Sequence, residues 1–256
     1  VLARGARLVA ATPTGEVRWT LTRPPRVSAP RWSPSGYRIA YGVGPTLHVV
    51  NGDGEPDRRL ARSAAPGAWA WKPDAATNVL AYATSRGAVR VVDVDTRREL
   101  WRTRRGPPVL TLEWSGDGTE LLVVTRRRLR TFRAPGERRL DLWAPLPIVT
   151  AAFAPRGRAL AYAVAGRGRG ESRVFVYDGR FSREVFSGGG AFGDLEWSPD
   201  ARWLLVTWPS ADQWLFLRMP RVRRIVAVSN IGREFDPGGG GSRASPAQLR
   251  GWCCAR

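Results

Sequence analysis

Lysine is almost missing from this chain: Lys72 is the sole example, so the formal charge of +19 is carried by arginine. Histidine occurs once, at His48, which leaves a Ser-His-Asp arrangement only one possible base. Cysteine occurs only as the adjacent pair Cys253 and Cys254. A disulfide between neighbours is strained, and two thiols with one distant histidine make poor zinc ligands. The pair reads as small strand residues or free thiols, and no cofactor or metal is expected. No apolar run of about 18 residues occurs, so no transmembrane helix is expected in this segment. The chain begins at Val1 without a methionine or a signal-like apolar stretch, which suggests a trimmed segment from which targeting information is gone.

What is present is enough apolar material for a core. The 256 residues are 43% hydrophobic, and 12 tryptophans are spread from Trp19 to Trp252. The arginine excess has two readings: an acidic partner drawn by long-range attraction, or the codon supply of a GC-rich genome. Abundant alanine, glycine and proline favour the second, although a basic surface results either way.

Internal repetition organises the chain. Five times an aromatic residue is followed by a short turn rich in Ser, Pro, Asp and Gly and then by a β-prone run. The copies are Trp32-Ser33-Pro34-Ser35-Gly36, Trp71-Lys72-Pro73-Asp74, Trp114-Ser115-Gly116-Asp117-Gly118, Phe153-Ala154-Pro155-Arg156-Gly157 and Trp197-Ser198-Pro199-Asp200-Ala201. The aromatic anchors stand 39, 43, 39 and 44 residues apart, the period of one four-stranded propeller blade. Within the period, 46–50, 88–94, 173–177 and 213–217 read as third strands, and 99–103, 184–186 and 225–229 as outer fourth strands. The fold expected is therefore an all-β six-bladed β-propeller of four-stranded antiparallel blades, one domain over 1–256.

The ends suggest how its ring closes. Residues 7–11 and 17–21 read as later strands of a blade whose first strand is missing. Gln248 to Cys254, with Trp252 at the anchor position, would supply it, and deleting Gln248 to Arg256 is then expected to lower thermal stability. The last interval, 55 residues, is lengthened by the Gly-rich stretch 237–242, expected to be a flexible loop. Gly166-Arg167-Gly168-Arg169-Gly170 reads as a basic hairpin loop; it lacks the Lys-Ser/Thr and the helix of a phosphate loop.

The repeats resemble the Trp-Ser-Pro-Asp-Gly signature of TolB-like propellers, a bacterial relative of the WD40-like repeat, and the resemblance covers essentially the whole chain. It implies a non-enzymatic binding platform, often extracytoplasmic (periplasm or cell envelope), that presents loops around a channel to a protein partner. The Gly-His and Trp-Asp pairs of typical WD40 repeats are missing, as is a Gly-x-Ser-x-Gly elbow.

Three readings of function follow. The first is that protein-interaction scaffold. The second is a binder of acidic polymers, nucleic acid or anionic envelope components, through arginine clusters at strand ends: Arg102, Arg104 and Arg105; Arg126, Arg127 and Arg128; Arg221, Arg223 and Arg224. The third is a ligand-binding or enzymatic channel. Glu113 and Glu196 precede anchor tryptophans, where Arg31 stands in another copy, and these side chains would ring a channel mouth. His48, between Leu47 and Val49 on a strand, is read as structural.

Overall fold

Alternation of apolar runs with Gly, Pro and Asp turns dictates short strands, and short strands are what form. The computed structural model describes residues 1–12, 14–156, 159–166 and 170–232. The strands group in chain order into six antiparallel meanders. The first has three strands: β1 (Leu2–Arg4), β2 (Arg7–Ala11) and β3 (Val17–Thr22). Four strands make each of the others. The second contains β4 (Val27–Trp32), β5 (Arg38–Val43), β6 (Thr46–Asn51) and β7 (Asp57–Ala61). The third contains β8 (Ala64–Trp71), β9 (Val79–Thr84), β10 (Val89–Asp93) and β11 (Arg98–Arg102). The fourth contains β12 (Val109–Trp114), β13 (Glu120–Thr125), β14 (Arg128–Arg133) and β15 (Glu137–Trp143). The fifth contains β16 (Ile148–Phe153), β17 (Leu160–Val164), β18 (Glu171–Tyr177) and β19 (Ser182–Gly189), and the sixth β20 (Leu195–Trp197), β21 (Trp203–Trp208), β22 (Gln213–Arg218) and β23 (Ile225–Ser229).

This is the blade organisation of an all-β six-bladed propeller. Among the described residues the first sheet has three strands, of which Leu2–Arg4 is one that the sequence pattern did not show. The strand assigned to Gln248–Cys254, the anchor Trp252 and the Gly-rich loop 237–242 lie outside the described residues, and so does the closure they imply. The segment 166–170 falls between the paired strands β17 and β18, as read from sequence, with 167–169 also outside them.

The chain forms two compact units, Val1–Thr125 with Arg130–Asp141, and Arg126–Leu129 with the chain from Leu142 onward. In the first unit the core is laid down between successive sheets. Leu8, Ile39, Tyr41 and Val50 fill the space between the first two; Leu47, Val49, Trp69 and Leu80 that between the second and third; Val91, Leu112 and Leu121 that between the third and fourth. Ala161, Val174, Leu204 and Leu215 do the same in the second unit. Each large side chain so buried stabilises by about 1.5–3 kcal/mol relative to exposure.

The anchor tryptophans stitch sheet to sheet. Trp71 Nε1 donates to the Arg31 carbonyl at 2.9 Å, Trp114 Nε1 to the Ala70 carbonyl at 3.2 Å, and Trp197 Nε1 to the Ala152 carbonyl at 3.4 Å. In each case the acceptor is the residue before the previous anchor. Phe153, without an indole N–H, makes no such bond. The Ser and Asp of the motif hold the turn. Ser115 Oγ donates to Asp117 Oδ1 and accepts the Glu120 N–H; Ser198 repeats the pattern with Asp200 and the Trp203 N–H. The donated hydrogen bonds, led by Ser115 and Ser198, hold both carboxyls below their ordinary range. The motif is thus consumed by the fold.

Candidate functional site: an arginine-lined end of the first unit

In a meander, successive turns alternate between the two ends of the sheet. Turns joining second to third strands share one end with the connections that leave the fourth strand for the next sheet; in the three-stranded first sheet the β1–β2 turn and the exit from β3 take these places. Within the first unit these turns are tied together. The Ala64 N–H donates to the Pro45 carbonyl, the Ser85 N–H to the Ser63 carbonyl, and the Val27 N–H to the Gly5 carbonyl.

Charge is divided sharply between the two ends. At the end just described, residues 23–26, 62–63, 85–88 and 103–108 carry Arg23, Arg26, Arg62, Arg86, Arg104 and Arg105 and no acidic residue. Turns at the opposite end carry Glu16, Asp53, Glu55, Asp74, Asp95 and Asp117 against only Lys72 and Arg97. Codon supply raises arginine everywhere; it does not empty one end of carboxylates.

Two shallow grooves reach this end. One, of about 700 Å³, lies between the second and third sheets and is lined by Arg62, Arg86, Arg90, Ser63 and Ser85. The other, of about 470 Å³, lies between the third and fourth and is lined by Arg130, Arg138, Val89 and Phe132. Arg102, Thr103, Arg104 and Arg105 belong to both, so the segment leaving β11 is the ridge between them.

That ridge is rooted by local bonds. The Thr103 N–H donates to the Val89 carbonyl at 2.9 Å, and Thr103 Oγ1 accepts the Val89 N–H at 3.0 Å. Gly87, at φ +72°, backs against it so closely that a Cβ there would run into the Gly106 and Pro107 carbonyls. Only glycine fits both the space and the left-handed conformation.

The arginines differ in how far they are neutralised. Glu99 lies 3.4 Å from Arg90 and 3.5 Å from Arg102; Asp141 lies 3.3 Å from Arg130 and 3.0 Å from Arg138. Arg62, Arg86, Arg104 and Arg105 are exposed and make no ion pair among the described residues. Four guanidiniums, each a fork of N–H donors suited to an oxyanion, are therefore offered to solvent.

The other basic clusters are placed differently. Arg126 and Arg127 form the β13–β14 turn and Arg128 opens β14, all three in the second unit, and the Arg126 and Arg127 carbonyls accept the Ile148 and Ala144 N–H groups. The Arg127 side chain is turned onto the Pro145 carbonyl. Arg221, Arg223 and Arg224 are exposed in the β22–β23 turn, a third-to-fourth-strand connection. Of the three clusters singled out by sequence, Arg102, Arg104 and Arg105 are joined by further arginines in the two grooves.

Arg31, Glu113 and Glu196 all stand half-buried one position before an anchor, opposite Ala40, Leu122 and Leu205 in register. Arg31 Nη2 donates to the Gly67 carbonyl at 3.4 Å. In the first unit β8 packs against both β4 and β12, so Arg31 and Glu113 belong to strands with one strand between them. Glu196 belongs to the second unit.

A polar cluster that sequence reading did not find surrounds Asp57. This carboxylate, 6% exposed, accepts from Tyr41 Oη at 2.7 Å and from Arg23 Nε at 2.7 Å, and His48 Nδ1 stands 3.5 Å away. Burial alone pushes the Asp57 carboxyl up, but His48, Tyr41 and Arg23 outweigh it and leave the group below its ordinary range. Burial, followed by the contact with Asp57, drives the Tyr41 hydroxyl strongly upward. Tyr41 is fully buried and His48 Nε2 is turned to Thr46 Oγ1, so the group ties β3's exit to the second sheet. The sequence signal was weak, since Asp57 follows a Gly-rich turn and reads as part of it.

Among the described residues no helix is long and apolar enough to cross a membrane, and no three His, Cys, Asp or Glu side chains converge to hold a metal. No protein-family model matches this chain, and no curated protein matches its sequence.

Proposed function

We propose that this chain is a non-enzymatic binding scaffold, a propeller of the TolB-like kind, and that it holds an anionic partner on the arginine-lined end of its first unit. One observation carries the reading: the turn segments at that end hold six arginines and no acidic residue, and four of the six, Arg62, Arg86, Arg104 and Arg105, make no ion pair among the described residues. A net positive field over two adjoining grooves attracts and orients an oppositely charged partner. Protein and polymer partners share this requirement, so the scaffold and acidic-polymer readings converge on one surface. An extracytoplasmic setting accords with the TolB-like resemblance.

The test uses heparin as a generic polyanion. Substituting Arg62, Arg86, Arg104 and Arg105 together by Gln removes four charges. A matched control does the same to Arg180, Arg202, Arg221 and Arg223, which are exposed in the second unit. Loss of heparin binding in the first variant alone supports the site; equal loss in both reduces the effect to net charge and refutes it.

A further inference from the structure

Resting on that reading, we infer that the anionic partner is double-stranded nucleic acid, gripped by its phosphodiester backbones with the Thr103–Pro108 ridge set into the groove between them. The surface has the relief of a duplex groove in reverse. A ridge bearing Arg104 and Arg105 rises between two grooves, one carrying the unpaired Arg62 and Arg86 and the other Arg130 and Arg138, which share the single carboxylate of Asp141 and keep a net positive charge. A duplex offers the complement, two phosphate strands on either side of a groove whose negative potential draws arginine inward.

What the surface lacks selects against other partners. None of the exposed large hydrophobic side chains lines either groove. A folded protein partner binds through buried aromatic and aliphatic anchors, which this surface does not present. Single-stranded nucleic acid stacks its bases on exposed rings. Here Tyr82 is 4% exposed and Phe132 packs against the core between the third and fourth sheets. Charge on a rigid double rail is what remains, and it carries no base-specific contact beyond the ridge.

Four unpaired arginines set the expected size of the effect. Neutralising about four duplex phosphates gives a slope of about −3.6 in log affinity against log salt, so affinity falls about 150-fold between about 50 and 200 mM salt. The experiment measures fluorescence anisotropy of a labelled 24-base-pair duplex, a single strand of the same length and polyglutamate of equal charge, each across that salt range. The wild-type chain is expected to bind the duplex most tightly with this slope, and each arginine lost is expected to flatten it by about one. Substituting Arg104 and Arg105 by Gln should weaken duplex binding more than substituting Arg62 and Arg86. Polyglutamate or single strand bound as tightly as duplex, through the same arginines, overturns the inference and leaves the anionic scaffold standing. Failure of every polyanion to bind overturns both.

Discussion

Asp57 offers a prediction that separates a structural polar cluster from a decorative one. Replacing it with Ala removes the acceptor of the Tyr41 hydroxyl and of Arg23 Nε, each held at 2.7 Å. Breaking a fully buried ion pair costs about 3–5 kcal/mol. The Arg23 side chain is 38% exposed, so water takes over part of its hydration and the expected cost moves to the lower end, about 3 kcal/mol. Asp57→Asn keeps an acceptor oxygen and should cost less, about 1–2 kcal/mol. The pH dependence has a definite sign. The carboxyl is lowered in the folded chain, so its contribution is complete above the unfolded value of about 3.9 and is lost as pH falls through the folded value. Urea unfolding followed by tryptophan fluorescence at about pH 7 and about pH 3 measures both. The gap between wild type and Asp57→Asn should be widest at the higher pH and shrink at the lower. A gap that does not change with pH, or an Asp57→Ala chain within about 0.5 kcal/mol of wild type, would refute the reasoning.

Three further changes test the turns and ties. Ala201 adopts φ +59° at the motif position where Gly36 and Gly118 stand at +73° and +66°, so Ala201→Gly should stabilise by about 1 kcal/mol, read as a raised Tm. Trp114→Phe removes the indole bond to the Ala70 carbonyl from a buried site and should cost about 1–3 kcal/mol in urea unfolding. Gly87→Ala forces the ridge away from the Gly106 and Pro107 carbonyls; it should destabilise by about 2 kcal/mol and weaken heparin binding although no charge is altered.

The blades were legible because each repeat spells its own turn. Ser115 and Asp117, or Ser198 and Asp200, are needed at fixed spacing to cap the first hairpin, and the aromatic before them is needed to reach back one sheet. Strands without such punctuation were harder to see. Leu2–Arg4 is only three residues long, and Glu137–Trp143 is charged along most of its exposed face. The site was legible in part. Arg102, Arg104 and Arg105 stood out as a run, but their union with Arg62 and Arg86 depends on which end of a sheet each turn occupies, and that requires the full strand count. Asp57 was invisible for a different reason. Its partners Tyr41, His48 and Arg23 come from three separate segments, and no local pattern announces that they converge.

The division of charge between the two ends of the first unit also works at a distance. Cationic turns at one end and acidic turns at the other make that unit a permanent electric dipole along its strand direction. In the field of an approaching polyanion it experiences a torque as well as a pull. The correct end is thereby rotated forward before contact, and productive encounters become more frequent at low ionic strength. Removing acidic residues such as Asp53 and Glu55 from the far end would leave the arginine-lined surface intact and weaken the torque, because the molecule would be attracted with less to aim it.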